Sequence, residues 1–258
     1  MKRFQLKRPT NQSGNSLPGC IIVIIIMLTL GGIAVMLLIT SFRQVEPHSV
    51  QIAKIGKWQD LGAEINPYQS WYGLFQISEE TFSLRKVKLK VKEIYDHSTE
   101  GPKERTEIQI GIKGNSYPIF LIAGVEDLEV GNIEGRNHYN TILAPDRLLE
   151  IIYPWGDYSL DSFGSANRMV GEDTEPEFSG YGIKLIHKNI QQLLLEDHYF
   201  YGNGPGLVWS GDLDRDGKLD LLIDCICEGP STNMALFLSS KADKNELVKL
   251  VAIWKWEE

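Results

Sequence analysis

The chain has 258 residues, of which 43% are hydrophobic and 10% aromatic, so it has enough apolar content for a packed core. It carries 26 basic and 34 acidic residues. The first 42 residues hold four of the basic residues and no acidic one, so the remainder carries 22 against 34, a net charge of −12. A domain this acidic repels nucleic-acid phosphates and attracts divalent cations, and we therefore expect no nucleic-acid partner.

The N-terminal region contains one long apolar run. Residues 21–39 are interrupted only by Thr29, Gly31 and Gly32, and about 20 such residues form a helix that crosses a bilayer. A cleaved signal peptide is the alternative, but its apolar region is only about 7–15 residues long, and no Ala-x-Ala site follows here. The pattern therefore predicts an uncleaved signal-anchor, a single transmembrane helix over residues 20–42.

Charge on the two sides of this predicted helix gives its orientation. Four basic residues precede it within the tail 1–19, whereas Arg43 alone follows it immediately. Because cytoplasmic flanks are enriched in Lys and Arg, the tail is expected in the cytoplasm and residues 43–258 outside it. In a bacterium, this describes a single-pass inner-membrane protein whose C-terminal domain lies on the periplasmic side.

Alternation of apolar and polar residues dominates the chain after the predicted anchor. Val87, Leu89 and Val91 alternate with lysines, and Leu221 and Ile223 follow the same period of two. Such patterns are typical of half-buried antiparallel strands, and Gly-Pro and Gly-Asn pairs between them indicate turns. The sequence predicts an all-β, antiparallel sandwich or barrel-like outer domain preceded by one N-terminal transmembrane helix.

Composition also suggests a division of this outer domain. Residues 157–180 are rich in Gly, Asp, Ser and Glu and poor in apolar residues. We expect them to form an acidic loop or linker between an N-terminal β lobe at 43–156 and a C-terminal β lobe at 181–258. Whether the two lobes share one sheet is left open by the sequence.

The most specific motif lies in the C-terminal lobe, where four aspartates surround one glycine between two apolar segments. They are Asp212, Asp214, Asp216 and Asp220. Gly217 permits a sharp turn, and the Lys218 carbonyl can supply a further oxygen. Oxygen ligands at this spacing predict Ca²⁺ rather than Mg²⁺, which keeps several waters. An EF-hand is excluded because position twelve of the loop is Ile223 rather than Glu.

The stretch 211–224 resembles the calcium loop of the FG-GAP and VCBS repeats, which are known from integrin α-chain propellers and bacterial surface proteins. The resemblance implies Ca²⁺ ligands at Asp212, Asp214, Asp216, the Lys218 carbonyl and Asp220. The C-terminal segment is also similar to bacterial envelope proteins that carry one such loop, a similarity that implies no activity. Propellers need several repeats, whereas this chain has one.

Sequence motifs for catalysis are lacking. No Gly-x-Ser-x-Gly elbow or phosphate-binding glycine loop occurs, and none of the five histidines forms a His-x-His or His-Glu-x-x-His motif. The leading hypothesis is therefore a membrane-anchored binding module with a structural Ca²⁺ loop, whose partner is an envelope protein or a glycan. The alternative is a calcium-supported hydrolase of an envelope polymer, with two carboxylates as acid and base.

Overall fold

The computed structural model describes residues 27–29, 32–34, 50–59, 65–95, 105–114, 116–126, 128–167, 177–201, 204–226 and 231–257. Within these residues every regular element is a β-strand and every strand pairing is antiparallel. The all-β, antiparallel prediction is thus confirmed.

The strands are, in chain order, β1 (Met27–Thr29), β2 (Gly32–Ala34), β3 (Gln51–Ala53), β4 (Gly56–Gln59), β5 (Trp71–Gln76), β6 (Thr81–Val87), β7 (Leu89–Tyr95), β8 (Arg105–Ile112), β9 (Phe120–Ala123), β10 (Gly131–Ile142), β11 (Arg147–Tyr153), β12 (Gly156–Asn167), β13 (Glu177–His187), β14 (Ile190–Tyr201), β15 (Gly206–Gly211), β16 (Asp220–Ile226), β17 (Ser231–Leu238) and β18 (Lys249–Glu257).

The N-terminal unit, residues 1–45, is described only at β1 and β2, which pair with each other. These six residues are strands where the sequence predicts a helix. The rest of the predicted anchor at 20–42, and the basic tail 1–19, lie outside the described residues. In the described part of the chain no helix has the length and apolar character needed to cross a bilayer. The anchor and its orientation stay predictions.

The second unit, residues 46–258, is built on a nine-stranded sheet of order β18-β17-β16-β15-β10-β6-β5-β9-β3. The two end strands, β18 and β3, lie beside each other, so the sheet curls into a nearly closed barrel. Strands from both predicted lobes share this sheet, and β10 pairs with β6 on one side and β15 on the other. The two predicted lobes, at 43–156 and 181–258, therefore share one sheet, a point that the sequence leaves open.

Two smaller sheets accompany the barrel, β11-β12-β13-β14 and β4-β8-β7. The four-stranded sheet includes β12 and β13, so residues 156–167 and 177–187 are long strands rather than the predicted loop. They are strands because their inward side chains, among them Tyr158, Leu160 and Phe178, are buried in an apolar cluster. The intervening residues 168–176 lie outside the described part.

Two apolar clusters lie on opposite faces of β16 and β17. Leu222 and Leu236 belong to the first cluster, with the three-stranded sheet and most of the barrel strands. Leu221 and Phe237 belong to the second, with the four-stranded sheet. Because successive side chains of a strand point to opposite faces, these central strands are covered by apolar contacts on both sides. This gives the turn between β15 and β16 a rigid base.

Candidate metal centre

The predicted metal loop is the connection between β15 and β16, which closes on the cross-strand pair Gly211 and Asp220. Two leucines fix the loop to the protein interior. Leu213 is 1% exposed and packs in the first cluster, and Leu219 is also 1% exposed and packs in the second. The loop is thus held at both ends by apolar burial, independently of any ion.

Three of the predicted ligands come together in this loop. Single carboxylate oxygens of Asp212, Asp214 and Asp216 all lie within 4.8 Å of one another, and this cluster could bind a metal ion. Oδ1 of Asp212 and Oδ1 of Asp214 are buried and have no hydrogen-bond partner among the residues that the structure describes. Buried polar atoms are nearly always paired, and a cation would supply the missing partner for both oxygens.

The other carboxylate oxygens are held by hydrogen bonds. The Gly217 backbone N–H donates to Asp212 Oδ2 over 2.9 Å. The Ser239 hydroxyl donates to Asp216 Oδ1 over 3.0 Å, and the Ser240 hydroxyl donates to Asp214 Oδ2. The two serines follow β17, and sequence analysis missed them because no local motif links them to the loop.

Asp220 is hydrogen-bonded inside the protein, and its role as a metal ligand stays a prediction. Its side chain is fully buried. Oδ2 accepts a 2.7 Å hydrogen bond from the Leu213 backbone N–H, and Oδ1 accepts one of 2.8 Å from the Ser239 backbone N–H. Oδ1 also lies 2.9 Å from the Ser239 hydroxyl, whose single proton is shared between Asp220 and Asp216. Asp220 therefore lies outside the three-carboxylate cluster and ties the loop to the end of β17. The Lys218 carbonyl stays a predicted ligand, while the Lys218 ammonium lies 3.3 Å from Asp216 Oδ2.

The loop backbone contains two left-handed residues, Arg215 with φ 62° and Gly217 with φ 78°. Glycine adopts this conformation readily, whereas arginine does so at an energetic cost. Arg215 is held by contacts outside the loop, since its guanidinium lies 3.2 Å from Glu129 Oε2 and donates to the Val130 and Asn132 carbonyls. The Arg215 side chain thus points away from the carboxylates. Its contacts hold the loop against the start of β10 and the residues just before it.

Electrostatics in the loop favour a cation. Burial, together with the charges of Asp216 and Asp214, raises the pKa of Asp212. Burial and the charge of Asp214 raise the pKa of Asp220 well above its usual range. Because the pKa of these carboxyls is raised in the folded state, the unfolded chain releases their protons first, and the stability of the fold falls as the pH rises above the unfolded-state pKa. The charges of neighbouring carboxylates, which repel one another, contribute to this loss. A bound cation would offset this repulsion.

A buried network of polar side chains connects β15 with its neighbours β10 and β11. His138 Nε2 is 2.8 Å from the Ser210 hydroxyl, and the Tyr153 hydroxyl donates to the Ser210 carbonyl over 2.8 Å. Burial and the neighbouring Arg136 lower the pKa of His138 to about 4. Ser210 is fully buried and His138 is 9% exposed, so this Ser–His pair offers no access to a substrate. The network instead links β10, β15 and β11.

The His138 pKa predicts an acid-sensitive fold. Its pKa is about 4 when folded and about 6.5 when unfolded, so stability falls once the pH drops below about 6.5 and histidine in the unfolded chain takes up a proton. We expect a loss on the order of 2 kcal/mol between pH 7 and pH 5. Urea unfolding of the wild type and of His138→Gln should show this loss only in the wild type. Parallel pH curves for both proteins would contradict it.

Comparison with known proteins gives no match: no family model, no curated protein and no solved structure is significantly similar to this chain.

Proposed function

We propose that this protein is a membrane-anchored, extracytoplasmic binding module whose barrel-like domain is stabilised by Ca²⁺ in the loop between β15 and β16. The observation that carries the proposal is the cluster of Asp212, Asp214 and Asp216, with two buried oxygens that lack a partner. Hard carboxylate and carbonyl oxygens in a flexible, irregular loop suit Ca²⁺, which takes six to eight oxygen ligands, better than Mg²⁺.

The metal in this proposal is structural. The loop lies between two strands whose faces are both buried, and its carboxylates accept hydrogen bonds from the serines that follow β17. An ion here would fix the end of the β15–β16 hairpin against the end of β17. The resemblance of residues 211–224 to the calcium loop of FG-GAP and VCBS repeats supports the same role.

Calcium should raise the thermal stability of the full chain. Extracellular modules bind Ca²⁺ with Kd values of about 10⁻⁴–10⁻³ M, so 10 mM Ca²⁺ should add roughly 1.5–3 kcal/mol. For a domain of this size the melting temperature should rise by about 3–10 °C relative to a sample with chelator. Asp214→Asn should abolish the rise, because it removes one of the three clustered carboxylates.

Asp146→Asn is the matched control for this experiment. Asp146 is exposed, so the variant makes the same chemical change away from the loop. It should keep the full Ca²⁺ response. An equal response in Asp214→Asn and the wild type would contradict binding at this loop.

The location and partner belong to the same proposal. The apolar run at 21–39, with its basic N-terminal flank, supports a single anchor whose C-terminal domain is outside the cytoplasm. The partner we propose is an envelope protein or a glycan. Exposed aromatic residues at positions 68 and 117, which are 95% and 80% exposed, offer surface for such contacts.

The hydrolase alternative has one observation in its favour. Glu80 and Glu134 both line a surface cavity of about 200 Å³, together with Arg136 and Tyr153. However, Glu80 is ion-paired with Arg136 at 3.0 Å, and typical ligand pockets measure about 300–1,000 Å³. A second cavity of about 440 Å³ is lined by one acidic side chain, Glu126. Neither of these two cavities, which are lined by described residues, holds two unpaired carboxylates for acid–base catalysis.

A further inference from the structure

Lysines are concentrated on the outer face of the three-stranded sheet, although the domain as a whole is acidic. We call this surface the lysine face, and it consists of Lys57, Lys88, Lys90, Lys92 and Lys113. All five side chains are exposed. The opposite side of the same sheet carries Leu89, Ile108 and Ile110, which are buried in the first cluster. The sheet therefore presents one apolar and one basic side.

Strand register brings these lysines together. Lys92 of β7 pairs with Gln109 of β8, and Gln109 pairs with Lys57 of β4, so the two lysines lie on the same row across the sheet. Lys90 pairs with Gly111, which has no side chain to cover it. Lys88 and Lys113 continue the alternation of β7 and β8 at one end of the sheet.

Few acidic side chains accompany these lysines in the described part of the chain. Among the residues that the structure describes, none of the five lysines forms an ion pair. Glu107 is the one acidic side chain that the described register places on this face, and its position pairs with Ile94 and Gln59. Same-face neighbours along a strand are about 6.6 Å apart. This spacing is shorter than the Debye length of about 8 Å at physiological salt, so the lysines repel one another.

We propose that the lysine face binds the anionic phosphate headgroups of the bilayer that anchors the chain. This inference rests on the anchor of the proposed function. Seven residues, 43–49, separate the predicted span from Val50, and seven residues extend at most about 25 Å. Lys57 lies on β4, the second strand of the domain after this connection. A sheet face with several exposed lysines is complementary in charge to an anionic lipid surface, where each lysine contributes roughly fivefold to affinity.

Lysine footprinting on the full chain tests this surface directly. The chain is reconstituted in nanodiscs of zwitterionic lipid, or of the same lipid with about 30% phosphatidylglycerol, and the acetylation rate of each lysine is read by mass spectrometry. In the anionic discs we expect at least threefold slower acetylation at all five lysines of the lysine face. The exposed reference lysines Lys188 and Lys244 should be unchanged. About 0.5 M salt should remove the protection, because it shortens the Debye length to a few ångströms.

Two matched triple variants show whether the protection depends on the lysine face or on the overall charge of the chain. In Lys57→Gln, Lys90→Gln, Lys92→Gln, acetylation of Lys88 and Lys113 should return to the rate seen in zwitterionic discs. The control variant, Lys188→Gln, Lys244→Gln, Lys255→Gln, removes the same charge elsewhere and should keep the protection. Loss of protection in both variants would show a general charge effect and overturn the proposal.

Other results of the footprinting experiment would also support or overturn the proposal. Equal rates in the two kinds of disc would overturn the proposal. Protection by soluble polyphosphate in zwitterionic discs, without protection by anionic lipid, would overturn it in favour of a soluble polyanion. A chain that does not co-purify with discs contradicts the anchor alone. Anionic vesicles are then added to the soluble chain, where selective protection would support the lysine face and its absence would overturn it.

Discussion

Asp220→Ala should destabilise the protein by about 3 kcal/mol or more with and without Ca²⁺. The change removes the acceptor of two buried backbone donors, the Leu213 N–H and the Ser239 N–H, and one of the two carboxylates that the Ser239 hydroxyl contacts. Each unsatisfied buried donor costs about 1–3 kcal/mol, and relief from burying a charge offsets only part of this sum. Urea unfolding followed by tryptophan fluorescence would measure the loss as a lower midpoint with an unchanged m value.

Two companion variants show whether the loss arises from these donors. Ser239→Ala removes one hydroxyl and keeps both backbone bonds to Asp220, so it should cost only about 1 kcal/mol. Asp157→Ala makes the same change at an exposed strand position and should be nearly neutral. If Asp220→Ala abolished only the Ca²⁺ response and left the stability in chelator unchanged, Asp220 would be a ligand rather than a support of the loop.

Gly211→Ala should cost about 3 kcal/mol, because the backbone before Asp212 has no room for a methyl group. A Cβ at this position would lie 2.5 Å from the Glu134 carbonyl oxygen and against the Trp209 ring. The ring cannot move aside, since Trp209 is fully buried and packs edge-on against Phe82 with ring centroids 6.0 Å apart. The strain should also displace Asp212 and weaken the Ca²⁺ response.

Thermal and urea unfolding with and without Ca²⁺ would measure both effects. Gly111→Ala is the control, since a Cβ there meets no atom within 4 Å. It should be neutral or slightly stabilising, because alanine loses less backbone entropy than glycine on folding. A Gly211→Ala protein with wild-type stability would mean that Trp209 does not pack against this backbone.

Much of the fold follows from local sequence patterns. Alternation predicts β7 and β8 because their buried apolar residues lie on one face, and the aromatic stretch at 71–75 forms the buried strand β5. The strands β12 and β13 could not be predicted in this way. Their polar and glycine residues look like a loop, and only pairing with neighbours on both sides makes them strands.

The candidate site, too, follows only in part from local sequence patterns. The spacing of Asp212, Asp214 and Asp216 predicts a cluster because a short loop brings alternate residues together. The role of Asp220 depends on burial and on its contact with Ser239, which is 19 residues away in sequence. Cross-strand register, set by the packing of both faces of β16 and β17, decides that contact, and no local motif reports it.

A crystal structure of the protein grown with at least 10 mM Ca²⁺ would test the central claim most directly. We predict one ion about 2.3–2.6 Å from oxygens of Asp212, Asp214 and Asp216 and from the Lys218 carbonyl, with Asp220 still bonded to Leu213 and Ser239. An open loop at this Ca²⁺ concentration, with the three carboxylates turned to water and no ion among them, would contradict the account.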